Sequence, residues 1–189
     1  MSTEKVIQIM EAGLLSAKKV CLSISGYSMY PLLQPGSKIM ISTNLYPDRI
    51  LIGDIVIITS RNYTGIVAHR VICIRRRKGK PVLFITKGDA NRSFDRAIGP
   101  DQILGKIVTI SKENKSIHLS RSYWRAAGVL IAVSSGICGL VHQCIDTCLC
   151  IDRCNFSCGL ARTKISLWAH RLTSHAHRIF LRAIILPLQ

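Results

Sequence analysis

Residues 54–74 read DIVIITSRNYTGIVAHRVICI, two runs of apolar residues on either side of a polar segment. Val and Ile are favoured in strands, whereas Asn and Gly, which lie in the polar segment, are favoured in turns. The stretch therefore predicts a strand over 54–59 and a second over 66–74. A polar pair, His69-Arg70, interrupts the second apolar run. These two residues are therefore either hydrogen-bonded core residues or functional groups.

The same pattern recurs on both sides of this pair of strands. Short segments rich in Val and Ile, bounded by Pro, Gly, Asn or Asp, predict further strands over 20–25, 38–42, 82–86 and 103–110. Helical periodicity is nearly absent between 20 and 120. We therefore predict a mainly β domain over 20–120, folded as a coiled sheet or partial barrel.

The segments that flank this domain have helical patterns. Residues 3–16 predict a short amphipathic helix within an N-terminal segment, 1–19, and the composition changes again near 120. Residues 126–141 carry no charge, which predicts a buried or interfacial helix, with a bilayer-spanning helix as the less favoured alternative. Residues 160–186 predict a basic amphipathic helix. The third region, 121–189, is thus a basic, Cys-rich, helical appendage.

The charge and the cysteines restrict the partners of the chain. The net charge of +16 suits an anionic surface, either lipid headgroups or nucleic acid, and does not choose between them. Six of the eight cysteines lie between 138 and 158, without paired Cys-x-x-Cys spacing. We therefore favour packing or lipid-modified thiols over a metal site. The C-terminal helices favour a membrane surface as partner, the alternative being helices docked on the β domain.

Three short segments carry groups that could do chemistry. Ser28 lies in SGYSMYP, residues 25–31, where a strand ends and Gly26 permits a sharp turn that exposes the hydroxyl. A serine hydroxyl needs a base, and the imidazole of His69 titrates near neutral pH. Asp89 and Asp95 are both candidates for an acid that orients the histidine. Taken singly, each segment also fits a surface turn or a core histidine.

Together these segments resemble the ordered motifs of the type I signal peptidases. The matching strings are GYSMYP at 26–31, HRV at 69–71, KGD at 87–89 with Asp95, and GKI at 105–107. The likeness is to the archaeal and endoplasmic-reticulum-like branch, in which a histidine replaces the lysine base of most bacterial members. It covers roughly residues 20–110.

The resemblance implies a signal-peptidase-like β fold and a serine endopeptidase that removes signal or leader peptides from exported precursor proteins. Ser28 would be the nucleophile and His69 the general base, with Asp95 or Asp89 as the supporting acid. The family's serine donor to the oxyanion is displaced here, and the nearest serine is Ser25. No metal, cofactor or nucleic acid is implied. The expected substrate and oxyanion positions are Ser25, Tyr27 and Met29.

Two other functions use the same fold. Self-cleaving repressors pair the serine with a lysine and carry a DNA-binding domain, but this chain has His69 at the base position and only about 20 residues before the β domain. A catalytically silent, membrane-associated scaffold is the second alternative, against which the intact serine and histidine segments argue.

Overall fold

The computed structural model describes residues 19–43, 47–60, 65–112, 115–153 and 159–185. Within them, seven antiparallel strands form one sheet that is followed by two long helices. The predicted helix over 3–16 lies outside the described residues. The strands are β1 (Lys19–Ser23), β2 (Lys38–Ser42), β3 (Ile55–Ser60), β4 (Gly65–Arg75), β5 (Leu83–Lys87), β6 (Ile103–Lys112) and β7 (Lys115–His118), and the helices are α1 (Ser122–Arg153) and α2 (Gly159–Ile185).

The sheet is open, with the strand order β1-β2-β6-β3-β4-β5 and with β7 paired to β6. The mainly β domain is confirmed, and the predicted strands agree with β1 to β6 within a few residues. A coiled sheet or partial barrel was predicted, and the described strands form an open sheet. Strand β7, which reads KSIH, was not predicted because it has one strongly apolar residue and hence no period to recognise.

Strand β3 is apolar at its first four positions, residues 55–58, because both faces of the sheet are covered there. Successive side chains of a strand point to opposite faces. Ile55 and Ile57 lie in the larger core, together with Trp124 and Ile131 of α1 and Leu181 of α2. The intervening residues of β3 belong to a second core on the other face, which comprises Ile50, Val56, Ile58, Val71, Phe84 and Ile98.

Helix α1 packs along the sheet through small residues. Gly53 has a φ of +92°, and a Cβ atom at this position would lie 2.6 Å from the carbonyl carbon of Gly128 in α1. Further along the helix, a Cβ atom on Gly139 would lie 2.6 Å from the ring of Phe94. The helix backbone therefore approaches the β domain closely at both ends of this interface. α1 also contacts α2, where His142 Nε2 lies 2.6 Å from Thr173 Oγ1.

The helical appendage was predicted in outline, but α1 is much longer than the uncharged run over 126–141. Its segment Ser122–Cys144 is, by length and composition, apolar enough to cross a membrane, with a mean hydropathy of 1.6. The core helix of a soluble protein meets the same criterion. Helix α2 agrees with the prediction over 160–186 within one residue at each end.

Candidate active site

His69 lies on β4, where it forms a close pair with Asp95. Its Nδ1 is 2.5 Å from Asp95 Oδ2, and since an ionised carboxylate only accepts, Nδ1–H is the donor. The same oxygen accepts a hydrogen bond from Thr86 Oγ1 at 2.7 Å, and the main-chain N–H of Asp95 donates to the Thr86 carbonyl at 2.9 Å. Strand β5 thus holds the carboxylate in position against the histidine, and both side chains are nearly fully buried.

Arg70, the next residue of β4, forms a separate pair on the other side of the strand. Its Nε and Nη2 donate to the two carboxylate oxygens of Asp89 at 2.9 and 2.7 Å, and Nη1 donates to the Gly53 carbonyl at 2.8 Å. The side chains of this pair are buried. The structure therefore brings Asp95 to His69 and Asp89 to Arg70, a distinction that the sequence left open.

Ser28 lies in a turn that rests on the loop after β5. β1 ends at Ser23, so the serine is not at the strand end where the sequence placed it. The Ser28 carbonyl accepts a hydrogen bond from the Ala90 N–H at 2.8 Å, and a Cβ atom on Gly88 would lie 2.7 Å from that carbonyl oxygen. Because Lys87 at the end of β5 pairs with Arg70 of β4, the serine turn and the strand of His69 meet at the same end of β5.

The three residues expected to line the oxyanion and substrate positions differ in their surroundings. Met29 is 2% exposed and lies in the larger core, so its side chain anchors the turn and cannot contact substrate. Its carbonyl accepts a hydrogen bond from the Leu33 N–H at 3.0 Å. Tyr27 is 69% exposed, and Ser25 is also exposed. The structure thus leaves Tyr27 and Ser25, of the three, with side chains that substrate could reach.

Lys87, the first residue of the KGD segment, is a buried charge whose contact the sequence did not predict. Its Nζ donates to Ser135 Oγ of α1 at 2.9 Å, and both residues are fully buried. Burial lowers the pKa of the Lys87 ammonium below its usual 10.5, against the attraction of Cys138, Asp89 and Asp95. Because Ser135 is inaccessible to solvent, this lysine–serine pair joins α1 to the sheet and has no route to a substrate.

A cleft of about 550 Å³ opens beside the serine turn. Tyr27 and Tyr30, which flank Ser28 in the turn, form one wall, and residues 89–92 form another. The helices supply the remaining wall, to which His177 belongs. Burial lowers the pKa of His177, as does the nearby positive charge of Lys87, so the imidazole is neutral near pH 7. The lining residues from the helices are Cys138, His142, Ser174, His177 and Arg178.

In the described part of the chain, no three His, Cys, Asp or Glu side chains are grouped so that they could hold a metal ion. Cys21, Cys73, Cys138 and Cys144 are free thiols. The side chains of the other cysteines in the cluster over 138–158 lie outside the described residues, so their role stays a prediction.

No protein-family model matches the chain, and no curated protein is detectably similar to it. The function is therefore inferred from the ordered motifs and from the geometry around His69 and Ser28.

Proposed function

We propose that the chain is a serine endopeptidase in which Ser28 is the nucleophile, His69 the general base and Asp95 the acid that orients the histidine. The observation that carries the proposal is the 2.5 Å contact between His69 Nδ1 and Asp95 Oδ2. A carboxylate at Nδ1 fixes the tautomer in which Nε2 accepts a proton, and it stabilises the imidazolium that forms during attack.

The surroundings of Asp95 favour this role over that of an ordinary buried pair. The hydrogen bond from Thr86 stabilises the charged carboxylate, and burial strengthens its attraction for an imidazolium. Here β5 supplies both the acid's main-chain contact and its side-chain donor.

The serine turn is held by contacts that do not use the Ser28 hydroxyl. Its carbonyl is fixed by the Ala90 N–H, and the buried Met29 side chain anchors the following residue in the core. The hydroxyl is thereby left to the reaction, and main-chain N–H groups of the turn are the proposed oxyanion donors. One such donor typically contributes about 100- to 1000-fold to the rate.

The proposed reaction has two halves. His69 takes the proton from the Ser28 hydroxyl as its oxygen attacks the peptide carbonyl carbon, and the N–H donors hold the tetrahedral oxyanion. His69 then protonates the amine, the carbon–nitrogen bond breaks and the acyl-enzyme remains. In the second half, water gives a proton to His69 and attacks the ester, which releases the carboxylic acid and returns the proton to Ser28.

The proposed substrates are exported precursor proteins, from which the enzyme removes a signal or leader peptide. This part of the proposal is supported by the resemblance to the type I signal peptidases, whose cleavage sites have small residues just before the scissile bond.

We also propose that the protein associates with a membrane surface through α1. Residues Leu130, Val133, Ile137 and Leu140 are each more than half exposed, while the opposite side of the helix contacts the sheet. A spanning helix would carry the buried charges of Lys87 and Arg70 into the hydrocarbon or break their contacts. An orientation along the headgroup layer, apolar side inward, avoids that cost.

The peptidase proposal is tested with the purified protein and a mixed peptide library, whose cleavage is followed by mass spectrometry. The wild type should cleave library peptides, and Ser28→Ala should abolish cleavage because no other group replaces the attacking oxygen. Ser116→Ala, which alters an exposed serine on β7, is the matched control and should retain activity. Cleavage by Ser28→Ala at the wild-type rate would refute the nucleophile, and an inert wild type would favour the silent scaffold.

A further inference from the structure

The cleft beside the serine turn carries an excess of positive charge. Arg92, from the loop after β5, and Arg178, from α2, both line it and are both exposed. Arg178 Nε donates to the Ser174 carbonyl at 3.2 Å, which restrains its side chain against the helix. Since the guanidinium is charged at any ordinary pH, these two groups give the cleft a permanent positive potential.

A third arginine contacts the wall of the cleft. Arg182 Nη2 donates to the Tyr30 hydroxyl at 3.2 Å, and the guanidinium carbon lies 6.0 Å from the centre of the Tyr30 ring. This arrangement fixes one face of Tyr30 and places a further cation at the rim of the cleft.

The negative charge of the cleft is already neutralised. Among the lining residues in the described part of the chain, Asp89 alone has a carboxylate, and both of its oxygens are bound by Arg70. His177 adds no charge near pH 7 because burial lowers its pKa. No ion pair of the described residues includes Arg92 or Arg178, so a ligand in the cleft meets two arginines without a carboxylate partner there, next to the residues that flank Ser28.

We propose that this cleft binds an acidic segment of the peptide substrate, on one side of the bond that Ser28 cleaves. The proposal rests on the proposed function and deepens it, since the arginines would select precursors that carry Asp or Glu near the cleavage site. A peptide is the favoured ligand because the cleft begins at Tyr27 and Tyr30, on either side of Ser28. A volume of about 550 Å³ accommodates several side chains.

The test is a binding measurement that does not depend on catalysis. Two short peptides of equal length, one rich in Asp and the other with Asn in its place, carry an uncharged dye and are titrated with Ser28→Ala protein by fluorescence anisotropy. We expect the Asp peptide to bind more tightly. The double variant R92Q/R178Q should weaken it about 3- to 10-fold, as expected for the loss of two partly exposed ion pairs.

The matched control removes the same amount of charge elsewhere. R75Q/R77Q alters two exposed arginines, one at the end of β4 and one in the segment after it, and should leave the affinity unchanged. Equal loss in both double variants, or equal binding of the Asn peptide, would overturn the proposal. So would a result in which vesicles of anionic lipid, and not the Asp peptide, depend on Arg92 and Arg178.

The experiments distinguish a failure of the cleft proposal from a failure of the peptidase proposal. If the wild type binds the Asp peptide through Arg92 and Arg178 but cleaves no library peptide, the peptidase assignment falls and the cleft stands. If the wild type cleaves library peptides without preference for acidic residues, the cleft proposal falls alone.

Discussion

Two adjacent residues of β4 have different partners because successive side chains of a strand point to opposite faces. His69 and Arg70 point to opposite faces, and each meets a carboxylate from the segment after β5. The Arg70 pair is fully buried and also ties the Gly53 carbonyl, so it joins the sheet to the contact with α1. Both pairs lie near the end of β5 where the serine turn rests, and they differ in the group that each acid meets. An imidazole can take and return a proton, whereas a guanidinium stays charged, so in the proposed mechanism the His69 pair has the chemical role and the Arg70 pair a structural one.

Asp95→Asn should lower kcat for peptide cleavage by about 100-fold or more, because an amide at Nδ1 no longer favours the reactive tautomer or stabilises the imidazolium. The rate is measured on the best library peptide, and thermal unfolding of the same variant serves as the control for folding. An unchanged rate in Asp95→Asn would remove this residue from the mechanism.

Asp89→Asn should instead destabilise the protein, by about 3–5 kcal/mol, because it leaves the buried Arg70 charge without its partner. Urea unfolding followed by circular dichroism measures the change. If Asp89→Asn were as stable as the wild type yet inactive, the roles of the two acids would have to be exchanged.

At the scale of elements, the positions of the strands were predictable from the sequence, and the contacts between elements were not. Val and Ile runs with turn residues between them located β1 to β6, because those signals are local. The choice between Asp89 and Asp95 depends on the register of β4 against β5, which no local pattern encodes. The hydrogen bond between Lys87 and Ser135 joins residues far apart in the chain, so no local pattern predicts it.

The lining of the cleft was likewise only partly predictable from local sequence patterns. The candidate residues Ser28, His69 and Asp95 were recognisable because they lie in ordered motifs. The contribution of α2 to a wall beside Ser28 was missed, since its amphipathic pattern equally fits a helix on a membrane. Whether α2 lines this cleft depends on how the helices pack against the serine turn, and no local sequence pattern encodes that packing.

The burial of His177 on α2 should make the free energy of unfolding depend on pH. The pKa of His177 is lowered by burial and by the charges of Lys87 and His142, with Asp89 acting in the opposite sense. Below pH 6.5 the unfolded chain binds a proton that the native state resists, so the free energy of unfolding should fall as the pH drops from 6.5 towards the lowered pKa. Urea titrations at several pH values measure this slope.

His177→Gln should flatten that slope because glutamine does not titrate. His175→Gln is the matched control, since His175 is exposed on the same helix and its removal should leave the slope as in the wild type. Identical slopes for His177→Gln and the wild type would show that the docking of α2 does not exclude the proton.

At the scale of the whole molecule, one apolar helix surface and a net charge of +16 occur together. In the proposed orientation, the exposed Leu130 and Ile137 would supply the apolar contact, and the surplus arginines and lysines would supply attraction to anionic headgroups. A surface position would bring the serine turn to substrates that are themselves in the membrane. The net positive charge does not require a nucleic-acid partner, because anionic lipid headgroups would also attract it.

Sedimentation with vesicles tests this orientation. The protein should bind vesicles that contain anionic phosphatidylglycerol more strongly than neutral phosphatidylcholine vesicles. Leu130→Ser/Ile137→Ser should weaken binding to the anionic vesicles by at least about tenfold, from the apolar area lost. Met40→Ser, an exposed apolar residue on β2, should have no effect. Binding that is indifferent to the α1 substitutions would exclude this face as the contact.

The proposed pairing of Ser28 with His69 is tested most directly with Ser28→Cys, without any substrate. A thiol beside an imidazole ionises as a thiolate–imidazolium pair, which lowers its pKa well below the usual value of about 8.5. The rate of alkylation at position 28, located by mass spectrometry, should therefore stay high at pH 6 and should fall there when His69→Gln is added. If both proteins react at position 28 with the same pH profile, typical of an ordinary thiol, Ser28 and His69 do not form a catalytic pair.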